Sequence, residues 1–87
     1  MYKVKFTKDG IYTLSKLPKN VISQIKEKIL WLSINTEEIS HIMLKGNEFK
    51  NIFKLRTGNY RILYDLDKKN KTITIIRIGH RKDIYKL

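Results

Sequence analysis

The chain predicts a small α+β fold in the order β-α-α-β-β-β, an antiparallel-rich twisted sheet with a pair of helices packed on one face. Three patterns lead there. The N-terminal stretch Tyr2-Lys3-Val4-Lys5-Phe6-Thr7 alternates apolar and polar residues, the period of a strand with one buried face. Between residues 19 and 35, Ile22, Ile25, Ile29 and Leu32 recur at helical spacing, with Val21 and Leu30 beside them. The last forty residues hold three strand-like runs separated by Gly58-Asn59 and by the polar Lys68 to Lys71. Helices gathered ahead of the strands argue for a helical layer on one sheet face.

Each element has a local cause. Ile11, Leu14 and Leu17 fall three residues apart, so residues 8 to 17 predict a short helix that Pro18 stops. Pro18 also suits the start of the next helix, where a missing N–H costs nothing. Residues 36 to 47, with Glu37, Glu38, Gly46 and Asn47, predict a loop. Strands are expected over 48–57, 60–67 and 72–79. The run Ile73, Ile75, Ile76 and Ile78 is apolar on both parities, the pattern of a strand covered on both faces. Trp31 and Met43 are expected in the core or packed under a loop, and neither signals a cofactor. With 87 residues, no internal repeat and no linker, one domain over 1–87 is expected.

Composition narrows the chemistry. There are 19 Lys and Arg against 8 Asp and Glu, a net charge of +11. On so short a chain that excess favours polyanionic partners. No cysteine is present and only two histidines, His41 and His80, so a zinc site is not expected. Asp65 with Asp67, and Glu37 with Glu38, suit solvated turns better than a divalent-metal centre. No phosphate-binding glycine loop or nucleophile elbow occurs. Neither metal nor small-molecule cofactor is expected. There is no signal-peptide core and no run of the roughly 20 apolar residues that spans a bilayer, so the expectation is a cytoplasmic protein without a membrane partner.

What remains is a carboxylate-poor set of Lys, Arg, Tyr and His, threaded through strands that need only one apolar face to fold. That set suits RNA better than DNA as a hydrolytic substrate. RNA carries its own nucleophile, the 2′-OH, beside the scissile phosphate. The protein must align it, take its proton and stabilise the charge that builds on phosphorus. Guanidinium groups do the last through paired phosphate contacts. An amine crowded by guanidiniums sheds its proton more readily and can serve in proton transfer.

Several segments, in order, carry a family resemblance: Leu44-Lys45-Gly46, Phe53-Lys54-Leu55-Arg56, Gly58-Asn59-Tyr60-Arg61-Ile62-Leu63-Tyr64, and Ile78-Gly79-His80-Arg81-Lys82-Asp83-Ile84-Tyr85. Together with Lys16-Leu17-Pro18 and the long second helix they resemble the RelE/ParE toxins of type II toxin–antitoxin systems, above all the RelE-type mRNA interferases. The resemblance implies a ribosome-dependent endoribonuclease that cuts mRNA in the ribosomal A site, and a cognate antitoxin that covers it. Residue by residue, it implies proton transfer or phosphate binding at Lys54 and a transition-state phosphate contact at Arg61. Arg81 would support the leaving group or the phosphate, and Tyr85 would stack on and help orient the nucleotide being cut. The family pattern has a second lysine two residues before Lys54, where this chain has Ile52. His80, in the position of another lysine, is the candidate substitute base. Lys45, Lys50, Arg56, Arg77 and Lys82 are expected to contact messenger or ribosomal RNA. Two alternatives stay open: a ParE-like poison of DNA gyrase, and a passive RNA- or ribosome-binding member.

Overall fold

The computed structural model describes residues 1–44 and 51–84. In chain order the elements are β1 (Lys3–Phe6), α1 (Lys8–Ser15), α2 (Lys19–Asn35), β2 (Ile42–Met43), β3 (Phe53–Thr57), β4 (Tyr60–Asp67) and β5 (Thr72–His80). The five strands form one sheet in the order β1-β5-β4-β3-β2. β1 runs parallel to β5, and every other pairing is antiparallel.

The parallel β1–β5 contact requires a crossover, and α1 and α2 begin it. Thr7 turns the chain: its Oγ1 accepts the Gly10 N–H at 2.9 Å, capping α1, and donates to the Ile76 carbonyl at 3.1 Å. Helix and strand touch directly at Gly10, where a Cβ would run into the Ile75 carbonyl oxygen. Beyond β1, the outer edge of β5 has no strand neighbour at Ile78 among the described residues, and Thr13 Oγ1 accepts the Ile78 N–H at 3.0 Å instead.

α2 lays Val21, Ile25, Ile29 and Leu32 into the core against Ile62, Tyr64, Ile73, Ile75 and Ile78 of the sheet. Val21 is the buried residue of the first turn and Ile22 lies half-buried, so the stripe sits slightly rotated from the spacing-based expectation. Trp31 does not join the core. It is 39% exposed, with the Lys28 ammonium 4.2 Å from its ring centroid. Met43, on the edge strand β2, is 49% exposed as well.

Two sheet features depart from the expected pattern. The loop expected over 36–47 contains β2, which pairs Ile42 with Lys54 and Met43 with Phe53. The strand expected from Glu48 starts at Phe53, and residues 45–50 lie outside the described residues. In β5 the register shifts between Leu63 and Tyr64, which pair with Arg77 and Ile75. Ile76 is the extra residue of a bulge, and a bulge moves the inward parity by one. Ile73, Ile75 and Ile78 therefore share one core, which explains the apolar run on both parities. No helix among the described residues is long and apolar enough to cross a membrane.

Candidate active site

Directly opposed residues of an antiparallel pair project to the same face of the sheet. The helices cover the face of Phe53, Leu55, Ile62, Tyr64 and Ile78. The opposite parity carries Lys54 across from Leu63, Leu63 across from Arg77, Arg56 across from Arg61, and Arg61 across from Gly79. Four cationic side chains from three strands thus share the face opposite the one that α2 covers. Arg56 and Arg61 are direct partners, with Cα atoms about 4.5–5.5 Å apart by strand geometry. Like charges so placed repel by up to ~1 kcal/mol, an arrangement that an anion between them relieves.

A second apolar cluster of Leu44, Leu63 and Ile84, with Ile52 packed against it, lies under this face. Ile84 arrives there because the chain turns back after β5: the Asp83 and Ile84 N–H groups both donate to the His80 carbonyl at 2.9 Å. A Cβ at Gly79 would sit 3.2 Å from Ile84 Cδ1, so a glycine across from Arg61 lets the turn close. Ile52, where the resemblance expects a lysine, is part of this apolar floor. Beside it Lys54 and Arg61 are half-buried, and Arg56 is exposed.

Arg81 joins the same end of the sheet through its backbone. Its N–H donates to the Asn59 carbonyl at 2.8 Å, tying the C-terminal turn to the hairpin tip that leads into Arg61. Gly58 makes that tip with φ 58°, in the left-handed region. Arg81 and Lys82 are both exposed.

The remaining sequence candidates stand differently. His80 pairs with Tyr60, the parity opposite to Arg61, and its ring meets Tyr60 edge-on at 5.6 Å. Its Nδ1 accepts the Lys82 N–H at 3.2 Å. Arg77 shares the cationic face, yet its Nε donates to Asp9 Oδ2 at 2.7 Å, binding α1 to the sheet. Lys45, Lys50 and Tyr85 lie outside the described residues. Among those described, no group of three or more His, Asp or Glu is placed to hold a metal ion. Asp67 belongs to the β4–β5 turn, where its carboxylate accepts the Asn70 backbone N–H at 3.1 Å and the Asn70 side-chain amide at 2.8 Å. Those bonds hold its carboxyl below the usual carboxylate range.

One polar group was not anticipated from the sequence. His41 Nδ1 lies 2.5 Å from the Tyr64 hydroxyl and Nε2 2.8 Å from the Thr36 carbonyl. Burial pushes the Tyr64 phenol up to about 12. A lone histidine in an expected loop carried no signal of either contact.

This fold occurs in known proteins. The family model described as the ParE toxin of the type II toxin–antitoxin system parDE matches residues 4–85. This chain belongs to the RelE/ParE family of type II toxin–antitoxin toxins. It is similar to Toxin RelG of Mycobacterium tuberculosis, with 32% identity over 98% of this chain and 97% of that one. Toxin RelE3 of Methanocaldococcus jannaschii is 31% identical, covering 95% of this chain and 94% of that one. In three dimensions the toxin–antitoxin complex RelBE2 of Mycobacterium tuberculosis matches with a TM-score of 0.81 at 31% identity, over 92% of this chain and 98% of that chain. The isolated RelE toxin of E. coli shares the fold, with a TM-score of 0.75 at 21% identity over 92% and 84% of the two chains.

Proposed function

We propose that this toxin is a ribosome-dependent endoribonuclease that cleaves mRNA in the ribosomal A site by attack of the 2′-OH on the adjacent phosphate, stopping translation. The observation that carries the reading is the Arg56–Arg61 pair, opposed across two strands with Lys54 on the same face. A phosphodiester between two guanidiniums offsets their repulsion, and the pentavalent state, with more charge on its oxygens, does so more strongly. Lys54 assists proton transfer or holds a phosphate oxygen. Arg81, at the tip bonded to Asn59, serves the departing 5′-oxygen. Tyr85 stacks on the nucleotide, as the resemblance implies. The chemistry needs no metal, because RNA brings its own nucleophile and the cations supply the charge. The toxin works in the cytoplasm, where translating ribosomes are.

The partner that restrains it is a cognate antitoxin. Two RelE-type relatives, RelBE2 of Mycobacterium tuberculosis and RelE–RelB of Pyrococcus horikoshii, have been solved as toxin–antitoxin complexes, and each is similar to this chain along more than nine-tenths of its length. The net charge of +11 gives a physical reason for restraint, since an uncovered toxin binds nucleic acid without discrimination. A second reading, poisoning of DNA gyrase, draws on the match to the ParE model. Mapping transcript 5′ ends after brief expression separates the two. New ends within translated codons are expected. Intact messages accompanied by inhibited supercoiling and broken DNA would select the gyrase reading.

A further inference from the structure

The edge of the sheet poses a packing problem. β2 is two residues long, and both of its side chains are exposed, Ile42 at 60% and Met43 at 49%. Burial of its own two side chains therefore does little to hold it: its far end is anchored by the next residue, Leu44, in the Leu63–Ile84 cluster, with the Leu44 N–H donating to the Ile52 carbonyl at 2.8 Å, and its near end depends on His41. Yet β2 is what makes β3 an interior strand: Ile42 and Leu63 bracket Lys54 from its two sides.

The residue before β2 is fixed from three directions. A carbonyl only accepts, so His41 Nε2 carries the proton and donates to Thr36 at the end of α2. Nδ1 is then an acceptor, and the Tyr64 hydroxyl donates to it. The ring also packs edge-on against Phe53 and Tyr64, with centroids 5.7 and 5.8 Å away. Phe53 and Tyr64 are register partners and stack on each other. This cluster occupies the helix-covered side of the sheet, directly behind the Lys54–Leu63 pair. Tyr64 is only 1% exposed, and Thr36 only 2%.

We infer that His41 is a positioning residue: its bonds to Thr36 and Tyr64 hold β2 onto β3 and so fix the strand from which Lys54 projects. Without them β3 becomes the fraying edge of the sheet. The consequence for cleavage rests on the ribonuclease reading given above; the consequence for the strand does not.

His41→Phe keeps an aromatic ring, somewhat larger, and removes both hydrogen bonds, leaving the Tyr64 hydroxyl and the Thr36 carbonyl without them. The double variant His41→Phe/Tyr64→Phe removes the first of these orphans, and its melting temperature is expected between those of the single variant and the wild type. Amide hydrogen exchange by NMR on the free toxin reads the strand directly. Faster exchange along β2 and β3, with β1 and β5 unchanged, is expected in the single and the double variant alike. His41→Asn, whose carboxamide oxygen accepts from Tyr64 in place of Nδ1, is expected to regain part of the protection. Single-turnover cleavage on ribosomes should fall about tenfold in the double variant, with half-saturation by ribosomes unchanged. Wild-type β3 protection in the double variant would overturn the inference, as would a wild-type cleavage rate. If the unmodified toxin cuts no message while β3 exchange still follows His41, the ribonuclease reading falls and the role of His41 stands.

Discussion

The two faces of this sheet are built from the same three strands and obey opposite rules. On the helix side, Ile62, Tyr64, Ile73, Ile75 and Ile78 interlock with α2, and even the polar Tyr64 and Thr36 have hydrogen-bond partners. On the other side, Arg56 faces Arg61 and the apolar floor is a few residues wide. The first face lowers the free energy of the fold. The second carries repulsion that folding alone does not require, and such repulsion is kept where an anion has to be gripped.

The comparison breaks most visibly at Arg61. Arg61→Ala should lower the mRNA cleavage rate about 100- to 1000-fold, the effect of deleting one preorganised charge donor. Relief of the Arg56 repulsion should leave the melting temperature unchanged or higher. Single-turnover kinetics and calorimetry on one preparation check both, and a drop in stability with intact activity would reverse the assignment of the faces. On the helix side, Leu32→Ala should cost about 2–5 kcal/mol in denaturant unfolding, because it opens a cavity in a fully buried site.

Alkaline titration sharpens the contrast further. The Tyr64 phenol is raised to about 12 in the fold, above the ordinary value of 10.0. The folded state thus holds its proton more tightly than the unfolded chain. The stability this provides is complete below pH 10 and is lost as pH rises from 10 towards 12, on the order of 2 kcal/mol. Denaturant midpoints across that window should fall for the wild type and less steeply for Tyr64→Phe. The smallest effect is expected at Trp31. Trp31→Ala should cost about 1 kcal/mol, since the residue is 39% exposed and no part of the core, and tryptophan emission should report a partly exposed setting.

Much of the fold was legible in the sequence because two periodicities, 2 and 3.6, set which residues turn inward. Alternation alone placed Lys54 and Arg56 on one face of their strand, and the two-residue Gly58-Asn59 turn brings Arg61 to the same side. The bulge at Ile76 was not legible: its signal is a run of isoleucines that equally fits a strand covered on both sides. β2 escaped because two residues are too short for a period. Trp31 misled, since a large ring counts as core by composition, and only the turn of α2 decides where it points. Arg77 could not be matched with Asp9 in advance, because 68 residues separate them and charge pairs across a fold leave no spacing to read. His41 stayed hidden because Tyr64 is 23 residues away and the nearer partner, Thr36, offers a backbone carbonyl, which no side-chain pattern marks.

The close approach at Gly10 has a mechanical consequence. With no side chain between α1 and the Ile75 carbonyl, and with Thr13 and Asp9 bonded to Ile78 and Arg77, helix and strand are geared together. A ligand that tilts α1 would therefore drag β5 with it and shift the rim of the cationic surface, even when bound on the far side of the molecule.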